Sequence, residues 1–398
     1  MPATYYFLSP MLAPNQAWIA FQMRAFPRCE AGADAPNANF SCTKALTEQF
    51  PLFFSTLPAW LHDAEFIKNV RQNQAILALP PGVAGVPTEE SVCKQLRQNG
   101  GHLAIEVADS AIIKTISATT FNHLVFDATK ARDAVPLIDL INAHQFGFQL
   151  VATGVTGHEL FDWATAKRFT LLSSEFINFA DPRVPVDADT TRLKLLKLLS
   201  LVVQDADTCE IEEIFKQEPK LSYNLLRLVN SVAVGPKTPI TGFNQAITVL
   251  GRRQLQRWIQ LLIYANQFGQ GGQPNPLLQL AAARGRRMEL LAAPLPAIPD
   301  VADIGEAAFM TGIFSLLDTL LNIPMMEILA ALPLAEPIAD ALLHRRGMLG
   351  ALLDAVASAD MGDLQAASSQ LEALGLPPET YLAAQSSAFS WASKIAFE

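Results

Sequence analysis

A catalytic metal centre needs His, Asp, Glu or Cys side chains gathered at ligand spacing, and this chain spreads them thinly. Its six histidines are His62, His102, His123, His144, His158 and His344. Only His344 lies beyond residue 190, and it stands beside Arg345 and Arg346. Cys29, Cys42, Cys93 and Cys209 form no Cys-x-x-Cys pair and read as reduced thiols. There is no Gly-rich phosphate loop and no Gly-x-Ser-x-Gly elbow. Ser315, set among Phe314, Leu316 and Leu317 with no local base, reads as a packed core hydroxyl. Asp127 closes the apolar run His123–Asp127, either as a hydrogen-bonded structural group or as a remnant ligand contact. What the sequence does gather is arginine: Arg252, Arg253 and Arg257, then Arg284, Arg286 and Arg287, then Arg345 and Arg346. Such clusters serve either an intramolecularly paired face or a docking face for anions and acidic proteins, since guanidinium forks carboxylates and phosphates.

The elements that must position these residues fall into two kinds. Over the first 180 residues, short apolar runs (75–79, 103–107, 123–127, 148–152) alternate with helical patterns at 91–99, 111–117, 135–144 and 159–167. That alternation predicts an α/β domain with a parallel sheet or barrel. From about Thr190 the pattern is helical throughout, with helices expected at 192–204, 211–217, 221–232, 242–250 (capped by Thr241, closed by Gly251), 254–268, 276–291, 304–321, 325–331, 336–343, 348–358 and 361–374. The segment 179–189, with two prolines and three aspartates, reads as the linker, so the domains are expected at 1–182 and 183–398.

Charge divides differently. The chain of 398 residues carries a formal net charge of −9. Residues 1–182 hold 12 Lys and Arg against 16 Asp and Glu, residues 183–299 hold 14 against 9, and residues 300–398 hold 3 against 13. An acidic chain has no generic affinity for nucleic acid. The N-terminus lacks the basic and apolar regions of a signal peptide, and the run 307–317 is bounded by Glu306 and Asp318, short of a membrane span. A cytoplasmic location is expected, with no nucleic-acid or membrane partner.

Four segments in fixed order, Lys194–Ser200, Ile211–Ser222, Tyr223–Ser231 and Gln245–Gly251, make the second half resemble the HDOD family, helical relatives of the HD phosphohydrolases. The run Leu150–Phe161, followed by Ser174–Phe179, makes the first half resemble a degenerate EAL domain, a barrel that hydrolyses cyclic di-GMP in its active members. The resemblance implies a two-domain protein: an N-terminal EAL-like (β/α) barrel, shorter than usual and with its strand count in doubt, fused to an all-α HDOD domain.

Residue by residue, it also implies that the chemistry has gone. The signature Glu falls on Ala20, with Arg24 closing the motif; the Asn ligand falls on Ser55 and the second Glu on Ala78. The paired aspartates fall on Glu106 and Val107 (or, shifted by two, use Asp109), the Lys on Val125, and the late Glu on Thr153, while Asp127 is kept. In the helical half, Ser315 and Leu316 stand where an HD enzyme places its His-Asp pair, with Asp318 nearby. The expectation is a non-catalytic bacterial signalling scaffold with no metal and no cofactor, acting by protein–protein interaction, with unidentified signalling proteins as partners and homodimerisation open. The alternative is a sensor that binds cyclic di-GMP without cutting it.

Overall fold

The computed structural model describes residues 4–27, 39–72, 74–183, 197–201, 203–204, 206–217, 219–231, 240, 242–267, 274–299 and 301–395. Several sequence expectations fall outside the described residues: linker positions 184–189, the start of the 192–204 helix, Thr241 as a cap, and Cys29.

Eight strands close a barrel in chain order: β1 (Tyr5–Leu12), β2 (Trp18–Phe26), β3 (Leu52–Ser55), β4 (Ile76–Leu79), β5 (His102–Glu106), β6 (His123–Asp127), β7 (Gln149–Thr153) and β8 (Leu171–Ser173). The count is therefore the full eight, and the shortness of the segment lies in its connections. β1 runs antiparallel to both neighbours, while β2 through β8 are parallel. Helices α1 (Asn39–Thr47), α2 (Ala64–Gln72), α3 (Pro87–Gln98), α4 (Ala128–Ala134), α5 (Leu137–Gln145) and α6 (His158–Ala166) link the strands. The helix expected at 111–117 is a single 3₁₀ turn, Ser110–Lys114, opened by Asp109, whose carboxylate accepts the Ala111 amide at 3.0 Å.

Strand side chains alternate, so one face of each strand must fill the barrel. Met11, Ala20, Phe53, Ile76, Ala78, Ala104, Val125, Val151 and Leu171 form that filling, one contiguous apolar cluster.

The helical half runs through α7 (Thr208–Gln217), α8 (Pro219–Ser231), α9 (Phe243–Leu250), α10 (Arg252–Gln267), α11 (Pro276–Ala292), α12 (Ile304–Phe314), α13 (Leu317–Leu321), α14 (Met325–Ala330), α15 (Glu336–His344), α16 (Gly347–Met361), α17 (Leu364–Ala373) and α18 (Pro378–Ala392). Gly251, at φ +77°, makes the left-handed turn that ends α9, the conformation for which glycine is the default residue. The single helix expected at 304–321 is two helices. Ser315 ends the first, and Leu316, at ψ 11°, breaks the ladder.

By contacts the chain forms two compact units. One comprises the barrel to Ile177 together with Ser358–Ser369 and Leu376–Ser387; the other comprises Asn178–Ala357, Gln370–Gly375 and the end of the chain from Ala388. Two C-terminal segments thus pack with the barrel, although a single cut in sequence would assign them to the helical half.

The reason is visible on β1. Among the described residues its ladder with β8 runs through Met11 and Leu12, and Tyr5–Ser9 lie beyond that ladder. Gln385 of α18, fully buried, supplies a partner there: its amide donates to the Tyr6 carbonyl and accepts from the Leu8 N–H, both at 3.0 Å. Tyr381 packs edge-on against Phe7 at 5.4 Å, and the Tyr5 hydroxyl donates to the Leu376 carbonyl at 2.8 Å. A buried strand edge must satisfy its backbone groups, and here a side-chain amide does it.

Candidate functional site

Sites on parallel barrels form where the strands end. Ala20, Ala78 and Val125 do not reach a polar rim: all three are buried in the apolar filling, between Phe53, Ile76 and Val151. Ser55 lies exposed at the end of β3 beside Ala78, and Glu106 lies exposed at the end of β5 beside Val125. The Thr153 hydroxyl donates to the Phe126 carbonyl at 3.2 Å.

Asp127 is a helix cap. One carboxylate oxygen accepts the Thr129 amide at 3.1 Å and the Thr129 hydroxyl at 2.6 Å, and the other meets Lys130 Nζ at 3.3 Å. Burial raises its pKa, but the Thr129 and Lys130 interactions outweigh that and hold the carboxyl below its usual range. Gly154, at φ +67°, lets the β7 backbone pass this carboxylate; a Cβ there would stand 3.1 Å from its oxygen. The bond from the Thr129 amide is that of an N-cap at the start of α4.

At the same rim, Arg24 of β2 reaches Glu175, just past β8, at 3.7 Å and Ser9 at 3.3 Å. Gly362, at φ +85°, turns the chain beside this pair; a Cβ on it would lie 3.4 Å from the Arg24 guanidinium. Sequence reasoning noted Arg24 but missed Glu175 and Gln385. Glu175 lies some 150 residues from Arg24 and Gln385 some 380 residues from its partners, so neither pairing left a local signal.

In the helical unit the break between α12 and α13 holds the second set of candidates. The Ser315 hydroxyl donates to the Gly312 carbonyl at 2.7 Å and accepts from Arg284 Nη1 at 2.9 Å. Arg284 also donates to the Asn178 side-chain oxygen, while Leu316 is buried. Asp318 accepts the Thr319 amide at 2.8 Å and lines, with Thr319 and Asn178, a cavity of about 350 Å³. His344 ends α15, remote in sequence from Ser315 and Asp318. Among the described residues no group of three or more His, Cys, Asp or Glu side chains is placed to hold a metal ion.

The arginine clusters resolve differently from a docking face. Arg284 and Arg287 are buried, so neither lies on a surface, and this corrects their place among the interaction candidates. The Arg287 guanidinium lies 5.1 Å from the centre of the Phe389 ring. Arg253 binds Asp303 and Glu306, Arg257 binds Glu289 and Glu306, and Arg286 binds Glu289. The Arg252 guanidinium donates to the Ala206 carbonyl. Burial lowers the Arg257 pKa, but the Glu306 and Glu289 bonds outweigh it and the group is held more firmly protonated than usual. For Arg253 the Glu306 bond leads in the same direction. The basic middle third of the sequence is thus answered by acids at the end of α11 and the start of α12.

Asn230, in the run Leu228–Ser231, has a structural task of the same kind as Gln385. The Asn230 amide accepts the Ile240 N–H at 2.9 Å and donates to the Ile240 carbonyl at 2.8 Å. Among the described residues, Ile304–Leu321 is the one helical stretch long and apolar enough to cross a membrane. It is 18 residues long and 67% buried within the protein, as core helices are.

Fold and sequence comparisons define the class. Residues 190–321 match the model of the HDOD domain. The chain is a two-part protein: an eight-stranded barrel followed by a helical region containing an HDOD domain. It is 30% identical over 175 residues to the cyclic di-GMP phosphodiesterase CdgJ of Vibrio cholerae, a match that covers 44% of this chain and 39% of that protein. It is 24% identical over 320 residues to the uncharacterized protein YuxH of Bacillus subtilis, covering 77% of this chain and 73% of that one. Among solved structures, the EAL domain of Mycobacterium smegmatis DcpA is similar to the barrel region with a TM-score of 0.34 and 15% identity, over 43% of this chain and 88% of that domain.

Proposed function

We propose that the chain is a signal-transduction scaffold that has given up hydrolysis in both halves and works by binding other proteins. The observation that carries this reading is the apolar filling of the barrel. The positions that align with two metal-binding carboxylates and the catalytic lysine of an active EAL domain are Ala20, Ala78 and Val125, packed together out of water. Two divalent cations and an activated water require several anionic or amide oxygens, and aliphatic groups offer none.

The helical half supports the same reading by a different route. A guanidinium, Arg284, sits within hydrogen-bond distance of Ser315, where an HD enzyme would hold a cation with His and Asp. A divalent ion placed there would meet a fixed positive charge in a buried setting, where like-charge repulsion is least screened. Cyclic di-GMP hydrolysis by the full chain with Mg²⁺ or Mn²⁺ is the test. No turnover is expected, and appreciable turnover overturns the reading.

A second reading, a cyclic di-GMP sensor without hydrolysis, draws on the similarity to a protein named a cyclic di-GMP phosphodiesterase and on Arg24, a cation kept at the barrel rim. Calorimetric titration separates the two readings: micromolar binding favours the sensor, and silence favours the scaffold.

A further inference from the structure

Three neighbouring strands open on a polar residue that shares a face with the barrel filling. His102 begins β5 two residues before Ala104, His123 begins β6 two before Val125, and Gln149 begins β7 two before Val151. Ala104, Val125 and Val151 all belong to the filling, and side chains two apart lie on one face of a strand. His102, His123 and Gln149 therefore line the inside of the barrel at the end where its parallel strands begin. His123 stands in register with Ala104 on one side and with Gln149 on the other. The apolar layer separates this mouth from the opposite rim, where Arg24, Asp127 and Glu175 lie.

We propose that His102 and His123, with the Gln149 amide as a third donor, form a site for one Zn²⁺ ion in this mouth of the barrel. Three observations carry it. First, the two imidazole rings face the same space, their centres 6.4 Å apart and their planes at 60°. A zinc ion holds imidazole nitrogen at about 2.0–2.1 Å, which puts two ligating ring centres about 5 Å apart in a tetrahedral site. His102 is exposed, so its ring can turn to close the difference. Second, His123 is 6% exposed, and among the described residues its buried Nδ1 has no hydrogen-bond partner. A buried polar atom left without a partner is a place where an ion or a water belongs. Third, the His123 ring is braced from outside by the Leu103 backbone and the Gln149 side chain, the outer support that a ligating histidine needs. The donors are neutral nitrogen and amide groups, the set that imidazole-seeking transition metals prefer to oxygen-seeking Mg²⁺. Arg97 sharpens that choice. Its charge is close enough to act on His123, so an ion held by charge alone is disfavoured there, while one that forms strong bonds to imidazole is kept. The inference is independent of whether the chain binds cyclic di-GMP or hydrolyses it.

The test is calorimetric titration of the full chain, stripped of metal and of any affinity tag, with ZnCl₂ and separately with MgCl₂. Wild type is expected to bind Zn²⁺ at micromolar concentration and to leave Mg²⁺ unbound. His102→Gln and His123→Gln are each expected to weaken Zn²⁺ binding by at least about tenfold with an unchanged circular dichroism spectrum. Two variants guard against one that fails to fold, since His102 is exposed where His123 is buried. His62→Gln, which alters an exposed histidine beside Glu89 elsewhere on the barrel, is expected to leave the binding intact. A wild type that takes up no Zn²⁺, or Zn²⁺ binding indifferent to both barrel-mouth variants, overturns the proposal.

Discussion

A Cβ built on Gly312 would stand 2.7 Å from the Cα of Gly285, closer than two packed carbons can approach. The two glycines mark where α12 and α11 touch backbone to backbone, and that contact brings Arg284 against Ser315. Gly312→Ala would force the helices apart, and overpacking of this kind costs about 1–3 kcal/mol. An unfolding free energy lowered by that amount, and so a lower denaturant midpoint, is expected in chemical unfolding. An unchanged unfolding free energy would show that the helices can separate freely.

Gln385 gives a second measurable dependence. Gln385→Leu keeps the bulk of the side chain but strands the Leu8 N–H and the Tyr6 carbonyl. Leaving two buried backbone groups unpaired costs about 2–6 kcal/mol. Faster hydrogen exchange at the Leu8 amide and a lower unfolding midpoint are expected together. Exchange at Leu8 as slow as in the wild type would mean that another group closes the β1 edge.

His123 makes stability depend on pH. It is buried at the start of β6, with the His102 ring 6.4 Å away. Burial and then His102 lower its pKa from 6.5 to about 4. A lowered histidine pKa means that the unfolded chain binds the extra proton first. Its contribution is therefore fully present above about pH 6.5 and is lost as pH falls from there towards 4. The gap corresponds to about 3 kcal/mol across that window. Unfolding midpoints measured between pH 4 and 7 are expected to rise with pH in the wild type and to rise less steeply in His123→Gln. Parallel curves would remove His123 as the source.

Much of the architecture could be read without coordinates. The strands at 75–79, 103–107, 123–127 and 148–152 lie within a residue of their places because apolar runs bounded by Gly and Pro are local signals. Most of the helical half was legible for the same reason, since periodicity and caps such as Gly251 act within a few residues, but the last helix, Pro378–Ala392, was not expected. The identities of Ala20, Ala78 and Val125 could be read from the sequence alone, and their burial together in the barrel filling came from the structure.

What residues do when they meet across long separations was not legible. Arg284 and Arg287 looked like surface charge because arginine usually is; only packing against Ser315, Asn178 and Phe389 showed them to be interior. Ser315 looked like mid-helix because its neighbours are apolar, yet its bond to Arg284 accompanies the break between α12 and α13. Gln385 carried no signal at all, and it completes the edge of the first strand from the last helix. By itself the sequence determined which side chains were available and which local shapes they favour, because propensity and periodicity are short-range. The tertiary structure alone decided which charges are neutralised and which strand edge is closed, because those bonds join groups whose proximity exists only once the chain has folded.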